Sequence, residues 1–376
     1  MELQISPNII HWIAALEHIE PQTLADELAP NKAEKFLTGL ISKTTALALA
    51  KRANIPFGYL FLNKPPKIEQ PHIPDLRQVI GSEPLSKDFF DVLKDIENKQ
   101  DWFKDYLIEQ GNEEELPFVG KFQLTINLEP KTVAKDIEKT LGINLIQELK
   151  YLTKDTYFKY LTEKFEHIGI LVFKNGIVKN NTRKTLNTSE FRGFALVDKI
   201  VPVVFINGSD VAEAQTFTLL HEVAHIWIGV EGVSSWNQDQ TVEAFCNRVA
   251  AEFLMPTELF IQLWQDKLTK NENIEKLASY FKVSKFAVIV KAVTLSLLEN
   301  NEIHKERERL KTILKQKSNG GDFHNILKVR QSPRFCSVVI NQAISQNLPL
   351  REASRLLNIK KVDTLISHYR RSQGVR

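Results

Sequence analysis

The chain has 376 residues, 43% of them hydrophobic and 25% charged, enough apolar side chain for a sizeable core divided among two or three domains. A net charge of +3 implies no polyanionic partner by itself, and two cysteines, Cys246 and Cys336, make no disulfide framework and fit a reducing compartment. The opening MELQISPNII lacks the basic start and long apolar core of a signal peptide, and no apolar run approaches membrane-spanning length, so a soluble cytoplasmic protein with no membrane partner is expected.

Residues 1–66 read as short helices, Pro7–Leu16, Pro21–Leu28 and one from Thr44 or Thr45 to Ala53, closed by IPFGYLFL. Residues 67–130 read as a helical connector: prolines around Asn63–Pro74 favour extended backbone, and from Ser86 to Gln110 apolar residues recur at helical spacing. Within 131–265, Lys131–Leu141 and Thr156–His167 are expected helices, after which Gly169–Asn207 changes to the period of strands. Asn175-Gly176 signals a hairpin, and GFALV-DK-IVPVVFI signals a second apolar pair of strands. Pro202 then puts Ile200–Ile206 at the edge of a small, mostly antiparallel sheet, where an extended peptide can add by main-chain hydrogen bonds. Residues 266–317 read as helix, KVS turn and helix, followed by a charged helix in Glu299–Lys317. Residues 318–376 end in another helix, turn and helix, with Lys360, Lys361, Arg370 and Arg371 near its close; contact with DNA and a merely solvated basic face both fit.

The chemistry concentrates in Phe217–Gly229, FTLLHEVAHIWIG. On a helix, His221 and His225 lie four residues apart on one face and reach one metal ion, for which two neutral imidazoles suit zinc. Glu222 projects beside the metal, placed to take a proton from an activated water and pass it to a leaving amine. Asp210 with Glu213 reads as an N-cap and capping box, and Gly229 as the stop. A second helix, Thr241–Pro256, supplies Glu243 as the third ligand, and Asn247, four residues on, orients a ligand histidine. Cys246 is expected to be a small buried hydrophobe pointing away from the Glu243 face.

The combination F-T-L-x-H-E-x-x-H, then E-x-x-x-N-x-x-A-x-x-x-L-M-P, together with Glu190–Phe194 and Val203–Asp210, resembles the ImmA/IrrE family of zinc metallopeptidases. Phe245 and Cys246 depart from a frequent family form, while the ligand position is kept. The resemblance implies zinc on His221, His225 and Glu243, with Glu222 catalytic. The implied fold is α+β and mostly helical: a zincin-like, gluzincin-type core with a small antiparallel sheet beside two metal-binding helices, flanked by helix-turn-helix-like domains. Residues 1–66 resemble a degenerate helix-turn-helix domain of XRE-type regulators, although Pro30–Leu40 offers only Lys32 and Lys35 where a DNA-reading helix belongs. The expected partner is a protein substrate such as a helix-turn-helix repressor or antitoxin in a stress, phage or mobile-element response. The alternative is a DNA- or protein-binding regulator, or a toxin–antitoxin or defence component, with an idle metal site.

Overall fold

The structure, a computed structural model, describes residues 2–16, 19–53, 55–66, 85–230, 232–234, 241–313 and 330–372. It divides into two compact units, one of residues 1–72 and 83–91, the other of 73–82 and 92–376. Much of the proline-rich stretch Asn63–Pro74 and the end of the expected charged helix Glu299–Lys317 lie outside the described residues.

In the first unit, α1 (Pro7–Leu16), α2 (Pro21–Leu28), α3 (Ala33–Leu37) and α4 (Lys43–Ala53) surround Ile9, Ile10, Ile13, Leu24, Phe36 and Leu49. Three of the four follow the expected boundaries closely. Pro30–Leu40 instead forms a 3-10 turn, the five-residue α3 and the start of β2 (Leu40–Ser42), which pairs antiparallel with β1 (Glu2–Gln4).

The second unit is mostly helical. The 23-residue α5 (Lys87–Glu109) continues into it and is followed by α6 (Pro130–Thr140), the short α7 (Leu145–Glu148) and α8 (Lys154–His167). Thr153 caps α8 reciprocally with Thr156, so the helix starts two residues before the apolar pattern alone suggests. Next come β3 (Leu171–Asn175), β4 (Gly193–Leu196) and β5 (Val203–Asn207), then α9 (Ala212–Ile228), β6 (Gly232–Ser234) and α10 (Thr241–Leu254). The sheet order is β3-β5-β4-β6; β5 runs parallel to β3, whereas β4 is antiparallel to both β5 and β6.

Two sheet expectations fail. Asn175-Gly176 does not turn a hairpin. Leu171, Val172 and Phe173 are buried and need a partner inside the sheet, which β5 provides in parallel, while the Asn175 carbonyl accepts from Gly208 N. Nor is Ile200–Ile206 an edge, because β5 lies between β3 and β4. Pro202 sits one residue before the strand, where its missing N–H is not called for and its carbonyl still accepts from Leu171 N. The expected β4–β5 antiparallel pair does form.

Beyond α10 come α11 (Thr257–Leu263), α12 (Lys270–Phe281), α13 (Lys285–Thr294) and α14 (Asn301–Ile313). Val288, Ile289 and Ala292 of α13 enter the core shared with α8, α9 and α10. The last helices are Pro333–Ile344, Leu350–Leu356 and Val362–Ser372. Among the described residues, no helix is long and apolar enough to cross a membrane.

Candidate metal centre

Helix α9 is buried on nearly every side from Gln215 to Ile228, with Leu219, Leu220, Val223, Ala224, Ile226 and Trp227 all closed to solvent. At roughly 1.5–3 kcal/mol for each large apolar side chain buried, packing fixes this helix far more firmly than its end signals do. Its start shows this, since the expected cap at Asp210 is not made. The N-cap is Val211; the Asp210 carboxylate pairs with Arg192 and accepts from Val211 N, while Glu213 pairs with Lys154. The stop is as expected: Gly229 takes the left-handed φ of 69°, and a Cβ there would stand 2.9 Å from the Gly120 Cα. That close approach lets Gly120 N and Phe122 N reach the carbonyls of Ile226 and Trp227 at the helix end.

His221, Glu222, His225 and Glu243 are between 0% and 3% exposed. Four titratable groups in a dry core are costly unless they satisfy one another or hold a cation. His221 Nδ1 donates to Asn247 Oδ1 at 3.0 Å, and His225 Nδ1 donates to the Val230 carbonyl at 2.9 Å. Each ring therefore turns its Nε2 inward. These two atoms stand 3.2 Å apart, with Glu243 Oε2 3.1 Å from His221 Nε2 and Glu243 Oε1 3.2 Å from His225 Nε2. Ligands bonded tetrahedrally at zinc-type distances lie about 3.3 Å apart, so the triangle fits a metal ion without rearrangement. Burial alone would raise the Glu243 carboxyl; the two imidazoles outweigh it and hold it down at about 2. Burial likewise opposes charge on His225, but its contacts with Cys246 and Glu243 prevail and raise it well above the ordinary histidine value.

The structure thus brings together His221, His225 and Glu243 as a group that could hold a metal ion, with Asn247 behind His221 and Glu222 beside the group on α9. Cys246 is a correction. It is fully buried, but it lies beside His225 instead of pointing away from the Glu243 face, because one further turn of α10 keeps residues 243, 246 and 247 on the same side. Two contributors escape the motif. The Val230 carbonyl is backbone and has no signature in sequence. Gly193 on β4 matters through what it lacks: a Cβ there would fall 2.9 Å from Glu222 Oε1 and 2.7 Å from Thr218 Cγ2. A glycine inside an apolar strand is the cue for such an approach.

Two histidines and one carboxylate with a further glutamate alongside are a donor set that hydrolytic metal sites use. Residues 165–292, which run from the end of α8 to α13 and contain His221, Glu222, His225, Glu243 and Asn247, match the family described as the IrrE N-terminal-like domain, Peptidase_M78. That likeness supports a metallopeptidase of the ImmA/IrrE type. Residues 331–371 match a domain of unknown function, DUF8813. No curated protein matches the chain.

Proposed function

We propose that the chain is a zinc-dependent endopeptidase in which His221, His225 and Glu243 hold the metal and Glu222 moves the proton. The observation that carries this reading is the convergence of two imidazole Nε2 atoms and one carboxylate at 3.1–3.2 Å. Two imidazoles and a carboxylate match zinc's preference for nitrogen and oxygen donors, and three protein ligands are what a catalytic site uses. Zinc held by His221, His225 and Glu243 would supply a lowered pKa for a water, towards about 7, and polarisation of a peptide carbonyl. Glu222 accepts the proton of the attacking water as its oxygen bonds to the carbonyl carbon. It then delivers that proton to the amide nitrogen as the C–N bond breaks. Asn247 and the Val230 carbonyl fix the ring orientations, and the missing Cβ of Gly193 leaves Glu222 its place.

The substrate proposed is a specific cytoplasmic protein, such as a helix-turn-helix repressor or an antitoxin in a stress, phage or mobile-element response. This narrower assignment is supported by likeness to the family alone. A cytoplasmic location is supported by Cys246 and Cys336, two buried cysteines that make no disulfide with one another. One observation favours a second reading, a regulator with a closed structural metal: the Cys246 thiol lies beside His225, where a fourth ligand would complete such a site. X-ray absorption separates the two, since a sulfur ligand at about 2.3 Å marks the closed site.

The direct test compares wild type with Glu222→Gln in a cell extract, reading new protein N-termini by mass spectrometry. Cleavages made by wild type and absent from the variant, at unchanged metal content, are expected. The same cleavages in both would remove Glu222 from the role assigned here.

A further inference from the structure

We propose that the helices Leu350–Leu356 and Val362–Ser372 form a binding surface for double-stranded DNA, which they grip through its phosphates. The first support is charge segregation. Residues 331–371 hold seven Lys and Arg against two Asp and Glu, whereas the whole chain is only +3, so the remainder is net acidic. The second is that these cations stand uncommitted. Arg351, Arg355, Lys360, Lys361 and Arg370 are exposed, and none makes an ion pair among the described residues. Some exposed lysines elsewhere on the second unit pair with carboxylates, as Lys199 with Glu115 and Lys285 with Glu275, and others, such as Lys94 and Lys139, make no ion pair among the described residues, so it is the density of free cations on these two helices that sets them apart.

Placement adds the third support. Arg351 and Arg355 are four residues apart on one helix face. Lys360 and Lys361 end the turn that leads into the final helix, whose exposed side carries Ser367 and Arg370 while Leu365 faces the core. Asn358 takes the left-handed φ of 54° in that turn, and its side chain donates to Asp95 Oδ2 at 2.8 Å on α5. The start of the module is held as well: Lys99 donates to Gln331 Oε1 at 2.7 Å, Arg334 N to Glu166 Oε2 at 2.9 Å, and Phe335 packs against Phe103 and Phe173. The cations are therefore displayed from a fixed body. Among the described residues of the two helices, Leu350 is the large apolar side chain that is exposed, while Val362 and Ile366 are half-buried, which suits neither a protein interface core nor insertion in a bilayer. A polar helix of this size enters the major groove of duplex DNA, with flanking cations on the backbone.

The test is fluorescence anisotropy of the full chain with a labelled, mixed-sequence duplex of about 30 base pairs, roughly three helical turns. Wild type is expected to bind with a micromolar or tighter Kd at about 50 mM salt and to weaken steeply as salt rises. Arg351→Ala with Arg355→Ala, and separately Lys360→Gln with Lys361→Gln, should each weaken binding about ten-fold and lower the salt slope by up to about 2. Lys32→Ala with Lys35→Ala, in the first unit, should change nothing. Melting temperature checks each variant; because all these side chains are exposed, it should stay at the wild-type value. Absence of wild-type binding at about 50 mM salt would overturn the proposal. So would equal binding by the variants, or phosphatidylserine vesicles competing as well as duplex.

Discussion

Two imidazole nitrogens with lone pairs directed at each other, and a carboxylate against both, are stable only with positive charge between them. In the metal-free protein a proton is the charge available, and against the opposing effect of burial the His225 imidazole is shifted in that direction, above the ordinary histidine value, by Cys246 and Glu243 beside it. Metal must displace it. Metal uptake near neutral pH should therefore release about one proton per site and strengthen as pH rises, the direction for any ligand set that must deprotonate. Calorimetry in buffers of different ionisation heat reads this; uptake without proton release would mean that the rings are already neutral. Asn247 acts one bond further out, by holding the His221 ring through Nδ1. Asn247→Ala should weaken metal affinity about 10- to 100-fold with the fold intact. An unchanged affinity in a chelator competition would show that packing alone fixes the ring.

At the scale of elements, the local signals were legible and the long-range ones were not. His221, Glu222 and His225 share a helix, so their relation follows from chain spacing, and Glu243 with Asn247 follows from spacing on α10. The Asp210 cap failed because Arg192, eighteen positions earlier, claims that carboxylate. The β5 edge failed because a parallel partner, β3, comes from across a whole crossover and leaves no mark in the strand's own sequence. The strand pair Glu2–Gln4 with Leu40–Ser42 was missed for the same reason. Between these classes stands Gly193, visible as a glycine in an apolar strand but meaningful only once α9 is laid against β4. Gly193→Ala puts a methyl within 3 Å of Glu222 Oε1 and the Phe205 carbonyl. It should cost about 1–3 kcal/mol of stability and about a hundred-fold in cleavage rate by displacing Glu222. Cleavage at the wild-type rate would show that the carboxylate has room to spare.

For the molecule as a whole, Glu166 reports how the last helical module is attached. Burial pushes its carboxyl up to about 7, against hydrogen bonds from Ser332, Arg334 N and Val172 N that pull it down. Its folded pKa lies above the ordinary glutamate value, so the folded state binds the proton more tightly. The stabilisation is complete below the unfolded pKa near 4.3 and is lost as pH climbs through about 7. Glu166→Gln, which stays neutral, should flatten the difference in urea midpoint between about pH 5 and about pH 8. An identical pH dependence in wild type and variant would place the titrating group elsewhere.

The central claim concerns three side chains from two helices and one metal ion, and metal analysis of the purified chain tests it most directly. The account predicts one zinc per wild-type chain and its loss in Glu243→Ala at unchanged melting behaviour of the metal-free protein. Full zinc in that variant, or none in wild type after zinc is supplied, would contradict it.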